Sequence, residues 1–266
     1  MKIFSNFDLT YFNTFQLKSI AKTVYFPETE EELKEIFCKI NAPVLASGSN
    51  VLLRPEISEL ICLQKLPHKI TEKINCFYTD ANTHLGSFIQ KTMRNGYTGF
   101  ESLFGIPGTI GGAIYGNAGS GGCTISDYLC YVWTIDKKGQ DHCYFKNKCN
   151  FKRRNSIFQD QNEIITKACF RLPKGKPNTE VLNKTLKWRR SFPASPNAGG
   201  IFKNWYVLKP YEKILKTLDW DNVKVWDKHI NIILNKGNAS YDDVINLIWR
   251  ITEIVKEPLE LEVKIL

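Results

Sequence analysis

Nine of the 17 glycines in this 266-residue chain fall between residues 99 and 122, in the stretch GFESLFGIPGTIGGAIYGNAGSGG. Glycine reaches positive φ without strain and lets other groups approach the main chain closely, at an entropic cost on folding. A chain that gathers so many in one place needs a backbone shape that side chains would block. The stretch lacks G-x-x-x-x-G-K-[ST], which excludes a P-loop. It also lacks a clear strand, glycine turn and helix followed by an acid about twenty residues on, so it fits a dinucleotide-binding fingerprint poorly. What remains is a nest of successive N–H groups with no Cβ to keep an anion away. SGSN at 47–50 is a second candidate of the same kind, between two apolar runs. Either one alone could be a tight turn and nothing more. Two together favour phosphate binding.

The composition, 43% hydrophobic and 24% charged, is that of a folded globular protein. The length allows one large domain or two or three smaller ones. No apolar run reaches the roughly 18 residues of a membrane helix. The start, MKIFSNFDLTYFNTF, has no continuous apolar core followed by small residues, so no signal peptide is expected and the cytoplasm is the default location. None of the eight cysteines forms a Cys-x-x-Cys pair and the four histidines do not cluster with them, so reduced thiols and no metal are expected. The net charge of +9 is spread along the chain and suits phosphate-bearing ligands. No basic-aromatic motif of an RNA-binding module accompanies it, so no nucleic-acid partner is expected.

Along the chain, PETEEELKEIFCKI predicts a helix, with Pro27 and four acids at its N-terminal end and Leu33, Ile36, Phe37 and Ile40 at helical spacing. APVLASGSNVLL reads as strand, turn and strand, and ISELICLQKL as strand. HLGSFIQKTMRNGYTG is a helix closed by Asn95-Gly96. Short strands follow between 128 and 172, with a Lys-Gly turn between the first two. PKGKPN at 173–178 is the best candidate boundary. Helices are expected near 179–190 and 241–256, and LELEVKIL closes the chain as a strand. Helices and strands mix without a βαβ rhythm, which points to an α+β fold.

The order NTF (13–15), GSN (48–50), GFE…GIPGTIGGA…NAG (99–119), RNS (154–156), AGGIFKN (198–204), KHINIILNKGNAS (228–240) and LEVKIL (261–266) resembles the UDP-N-acetylenolpyruvoylglucosamine reductase (MurB) family, nearly end to end. The resemblance implies an α+β protein with a two-part FAD-binding domain of the vanillyl-alcohol-oxidase (PCMH) type at residues 1–174. A smaller α+β substrate-binding domain is implied at 175–266. It implies a flavoprotein oxidoreductase that uses NADPH to reduce the enolpyruvyl double bond of a UDP-sugar in peptidoglycan precursor synthesis, and so serves cell-wall biogenesis, cell shape and division. The partner implied is that small molecule, with no membrane and with a monomer as the default.

The same resemblance assigns roles. Gly48, Ser49, Asn50, Gly105, Ile106, Pro107, Gly108, Gly111, Gly112, Asn117 and Gly119 would hold FAD, the glycines by cradling its diphosphate. Arg154 matches a catalytic arginine, although Arg153 stands where the family usually has tyrosine. A cation or hydrogen-bond donor near the substrate carboxylate is what an enolate-like intermediate requires. Glu262 matches a C-terminal glutamate that polarises the intermediate or assists proton delivery, a role that calls for a pKa raised by burial. Lys203 and Asn204 match a substrate-side Phe-Lys-Asn segment. Trp205 stands where proline is common, and His229 and Asn231 match a structural motif.

One position departs from the pattern. Where the family has a proton-donating serine before Phe-Lys-Asn, this chain has Gly200. Loss of a general acid lowers rates by about 10²–10⁴-fold. Three readings stay open: another group or water donates the proton, with Ser191 and Ser195 the nearest hydroxyls in sequence; the protein is a flavin and UDP-sugar binder with impaired catalysis; or the glycine is an engineered change.

Overall fold

The computed structural model describes all 266 residues. Two compact units emerge. One comprises Met1–Ile3, Tyr25–Ser47 and Ile61–Phe192, and the other Phe4–Val24, Gly48–Leu60 and Pro193–Leu266. No helix is long and apolar enough to cross a membrane.

The first unit is built on a five-stranded antiparallel sheet in the order Asp141–Phe145, Leu129–Asp136, Glu163–Phe170, Cys76–Asp80, Ile70–Lys73. Its register sets Val132 opposite Ala168 and Phe170 opposite Phe77. Alternate residues therefore share a face, and these four are all buried. They pack with Leu85, Phe88 and Ile89 of one helix and Ile110, Ala113 and Ile114 of another. Aromatic pairs fill the layer, with Phe88 and Phe170 5.0 Å apart and Phe77 meeting Tyr97 edge-on at 4.8 Å.

Local signals account for the helix ends. Helix α1 (Glu30–Lys39) starts after Thr29, whose hydroxyl accepts the Glu32 N–H at 3.2 Å, with three acids in the first turn. Pro27, expected inside the helix, lies before this cap. Helix α2 (Leu85–Arg94) ends at Asn95 as expected. Helix α3 (Ile110–Tyr115) forms within the glycine stretch and is capped by Thr109. Helix α4 (Thr179–Arg190) follows an Asn178 cap and packs against the short 3-10 turn Glu101–Leu103. The contact division therefore gives α4 to the first unit and passes between Phe192 and Pro193. The strand expected over ISELICLQKL stops at Cys62 and turns into a 3-10 segment, Leu63–Lys65.

In the second unit a hairpin of Val223–Val225 and Ile233–Asn235 packs with α6 (Tyr241–Val255). The short helix α5 (Glu212–Leu215) precedes the hairpin. Val244, Leu247, Ile248, Ile251 and Val255 of α6 recur at helical spacing and bury one stripe. A Ser240/Asp243 capping box fixes where α6 begins. Asn13 ties the NTF segment into a knot: its amide donates to Leu9 and Leu17 carbonyls and accepts the Leu17 N–H, with only 2% of its surface exposed. The terminal strand is shorter than expected, only Lys264–Ile265, paired in parallel with Val51–Leu52. Leu261 is 37% exposed and makes one isolated bridge to Phe202, so the strand does not extend back to Glu262.

Candidate active site

The glycine loop is short of partners for its own main chain. N–H groups of Phe104 and Ile106 donate to Glu101 and Leu103 carbonyls at 3.2 and 3.1 Å. Those of Ile110 and Gly111 go to Thr83 and Ala81, both at 2.8 Å. Gly112 N–H meets the Thr109 hydroxyl at 3.3 Å. The N–H groups of Gly105, Gly108 and Thr109 have no protein acceptor. Gly105 (φ +77°) and Gly108 (φ +131°) take backbone conformations that side-chain-bearing residues rarely adopt. They flank Ile106 and Pro107 on a groove of about 390 Å³, also lined by His84, Ser87 and Gln90. Donors left open at the edge of a groove call for an acceptor from outside the chain. A diphosphate fits them.

Gly48 and Gly111 are required by the packing of the fold. A Cβ on Gly48 would stand 2.0 Å from the Phe12 carbonyl oxygen. The Gly48 carbonyl also accepts the Thr14 N–H at 3.0 Å. Only glycine lets the two segments come this close. A Cβ on Gly111 would lie 3.0 Å from that of Ala81.

Arg154 sits at φ +53°, unusual for a residue with a side chain. Strain of this kind amounts to about 1–3 kcal/mol and persists only where neighbours over-determine it. Here they do. Gln159 donates its amide to the carbonyls of Arg154 and Tyr115, at 3.1 and 2.9 Å. Ser156 donates to the same Tyr115 carbonyl at 2.8 Å. Asn117 donates to Lys152 at 2.9 Å, and Lys152 and Asn155 bond reciprocally around the arginine. The Arg154 guanidinium in turn donates to the Gly119 carbonyl at 2.9 Å. Asn117 and Gly119, expected to hold the cofactor, thus brace the candidate catalytic loop. The Arg153 side chain is exposed.

In the second unit, Gly200 has an ordinary φ, so its reason is space. A Cβ there would be 2.7 Å from Asn231 Nδ2 and 3.7 Å from Glu262 Oε2. Asn231 cannot easily retreat: it is 3% exposed, and its amide exchanges two hydrogen bonds of 2.9 Å with the Phe202 main chain. The family's serine position is thus filled by an amide with a carboxyl group beside it. Glu262 is half-buried. Its N–H donates to the Ile201 carbonyl at 2.8 Å, and its own carbonyl accepts the Asn50 amide at 3.2 Å. Asn50 therefore holds the main chain of Glu262. Ser191, one of the two nearest hydroxyls in sequence, is engaged with the Trp188 carbonyl at 2.7 Å.

Lys203 is half-buried and its N–H donates to the Glu260 carbonyl at 2.8 Å. Asn204 clamps the same turn, donating to Pro258 at 2.8 Å and accepting the Glu260 N–H at 3.0 Å. Its amide keeps one N–H and one lone pair for another partner. Sequence reasoning missed Gln159, which holds Arg154, and the contact of Asn231 with Gly200. A lone glutamine three residues beyond Ser156 carried no signal.

Comparison with known proteins agrees with these features. A model described as FAD binding domain matches residues 21–142. A model of the UDP-N-acetylenolpyruvoylglucosamine reductase C-terminal domain matches 192–266. A relative from Carboxydothermus hydrogenoformans named UDP-N-acetylenolpyruvoylglucosamine reductase is 33% identical, covering 95% of this chain and 89% of its own. One of the same name from Borreliella burgdorferi is 31% identical over 92% and 86%. The crystal structure of that reductase (MurB) from Thermus caldophilus superimposes with a TM-score of 0.81 at 28% identity, covering 99% of this chain and 98% of the other. With this coverage at both termini, and with an α+β fold carrying an FAD-binding domain, the chain belongs to the UDP-N-acetylenolpyruvoylglucosamine reductase family.

Proposed function

We propose that this protein reduces UDP-N-acetylglucosamine enolpyruvate to UDP-N-acetylmuramate, with FAD as cofactor and NADPH as electron donor, in cytoplasmic synthesis of peptidoglycan precursors. The observation that carries the reading is the run of unpaired N–H groups at Gly105, Gly108 and Thr109, where a dinucleotide's diphosphate finds donors. Bound FAD supplies the hydride chemistry, and the protein aims and tunes it. We assign flavin binding to residues 1–174 and substrate binding to 175–266, with α4 serving the flavin side because it packs against the glycine stretch. Lys203 and Asn204 contact the substrate. The protein acts as a monomer and without a nucleic-acid partner.

The protein's own groups manage charge and proton. Hydride addition at the vinyl carbon distal to the ether leaves an electron pair spread from the adjacent carbon into the carboxylate. Arg154, fixed by its bonds to Gly119 and Gln159, stabilises that charge. Glu262 then gives its carboxyl proton to the carbon: the O–H bond breaks, the C–H bond forms, and solvent reprotonates the carboxylate. Its oxygen beside the empty β position of Gly200 makes it the nearest titratable group to where the family's serine stands.

Stopped-flow measurement of the two half-reactions tests this. NADPH should reduce the bound flavin, and the enolpyruvyl UDP-sugar should reoxidise it without oxygen. In Glu262→Gln, reduction by NADPH should persist while reoxidation slows by about 10²-fold or more. Reoxidation at the native rate would remove Glu262 as the donor. A native protein that takes electrons but never passes them to substrate would favour a binding protein with impaired catalysis.

A further inference from the structure

In the second unit, the side chain beside Gly200 has more donors than its neighbours use. Asn231 binds the main chain of Phe202: its Oδ1 accepts the Phe202 N–H and its Nδ2 donates to the Phe202 carbonyl, both at 2.9 Å. One bond needs an acceptor and the other a donor, so together they fix which end of the amide is nitrogen. It is the nitrogen that faces Gly200. An amide nitrogen carries two N–H bonds, and the second one here has no protein acceptor.

Asn231 is 3% exposed, and a donor buried to that degree is ordinarily paired. Its surroundings say what could pair with it. Gly200 is partly exposed, so with no side chain there the nitrogen can be approached from outside. The empty β position adjoins both the amide and the carboxyl, 2.7 Å from Nδ2 and 3.7 Å from Glu262 Oε2. We propose that Asn231 contacts the substrate: its second N–H donates to the carboxylate of the enolpyruvyl group, which reaches it through the space that the family's serine side chain would fill. This rests on the reading of the chain as a reductase of an enolpyruvyl UDP-sugar. The contact sets a donor on the carboxylate into which charge spreads after hydride addition, and it strengthens as that charge grows.

Magnetic resonance of the flavin-loaded native protein, isotope-labelled at asparagine nitrogen, tests the contact. The flavin is kept oxidised, so the enolpyruvyl UDP-sugar stays intact. On its addition one of the two Asn231 side-chain N–H signals should move downfield and exchange more slowly with solvent, while its twin on the Phe202 carbonyl stays in place. UDP-N-acetylglucosamine, which lacks the enolpyruvyl group, should move neither. No movement with the enolpyruvyl sugar, or an equal movement with UDP-N-acetylglucosamine, would overturn the proposal. In Asn231→Ala, reoxidation of the flavin by substrate should slow about 10²-fold, the loss of one donor to developing charge, with reduction by NADPH at the native rate. Equal slowing of both half-reactions would mean a structural role and overturn it as well. The spectra need only native protein, so they decide even where the variant fails to fold. A native protein that retains no flavin, or binds neither sugar, would sink the functional reading and this proposal with it, an outcome distinct from these.

Discussion

A residue's meaning here depends on which neighbour reaches it. Gly200 looked like a lost general acid, yet its missing side chain makes room for the Asn231 amide. Restoring the family's serine should therefore not restore anything. Gly200→Ser is expected to lower stability by about 1–3 kcal/mol through overpacking against a pinned amide and to leave reoxidation no faster than native. Thermal melts and stopped flow together check this, and faster turnover in the variant would show the glycine to be a loss. Gly48 makes the same point against main chain. Gly48→Ala places a methyl group 2.0 Å from a carbonyl oxygen at φ +66°. A loss of more than about 3 kcal/mol, read by urea unfolding, is expected from the two effects combined.

At the scale of elements, the glycine stretch works because other elements lean on it. Glu101, 3% exposed, accepts hydrogen bonds from the Gly99 N–H at 2.8 Å, the Asn178 N–H at 2.9 Å and the Thr98 hydroxyl. It thereby fixes the entry to α4. Burial pushes its carboxyl up, but the donors from Thr98, Asn178 and Gly99 outweigh this and hold it below the ordinary glutamate range. A depressed folded pKa means that the stabilisation is full above the unfolded value of about 4.3 and disappears as pH falls through the folded one. Glu101→Gln should cost about 1–3 kcal/mol at neutral pH and flatten the acid limb of a melting-temperature profile. An unchanged profile would show that the carboxylate does not anchor α4. The sequence displayed GFE as part of a motif. That its acid holds the cap residue of a helix about eighty residues on is a tertiary fact.

For the whole molecule, all eight cysteines are free thiols. Burial pushes Cys62, Cys123 and Cys169 up to about 12 and Cys149 to about 11, so none of these is a thiolate near neutral pH. Cys38 and Cys143 are the exposed ones. A thiol reagent at neutral pH should modify these two first, and peptide mapping would locate them. Rapid modification of Cys62 or Cys169 in the folded protein would contradict the burial described above.

How much of this was legible in the chain follows from the range of the interactions. Helices α1, α2, α4 and α6 declare themselves through apolar spacing and caps, because both act within a few residues. The density of glycine signalled a loop that needs positive φ, as Gly105 and Gly108 have, and the motif order named Arg154 and Glu262 as candidates, since each is marked by its own neighbours in sequence. Tertiary structure alone decided which donors of that loop stay open and which close on Ala81, Thr83 and Thr109. It also turned Asn50, Asn117 and Gly119 into braces for Glu262 and Arg154, and filled the space beside Gly200 with Asn231. Hydrogen-bond completion and steric exclusion are settled between segments far apart in the chain, and no local pattern records them.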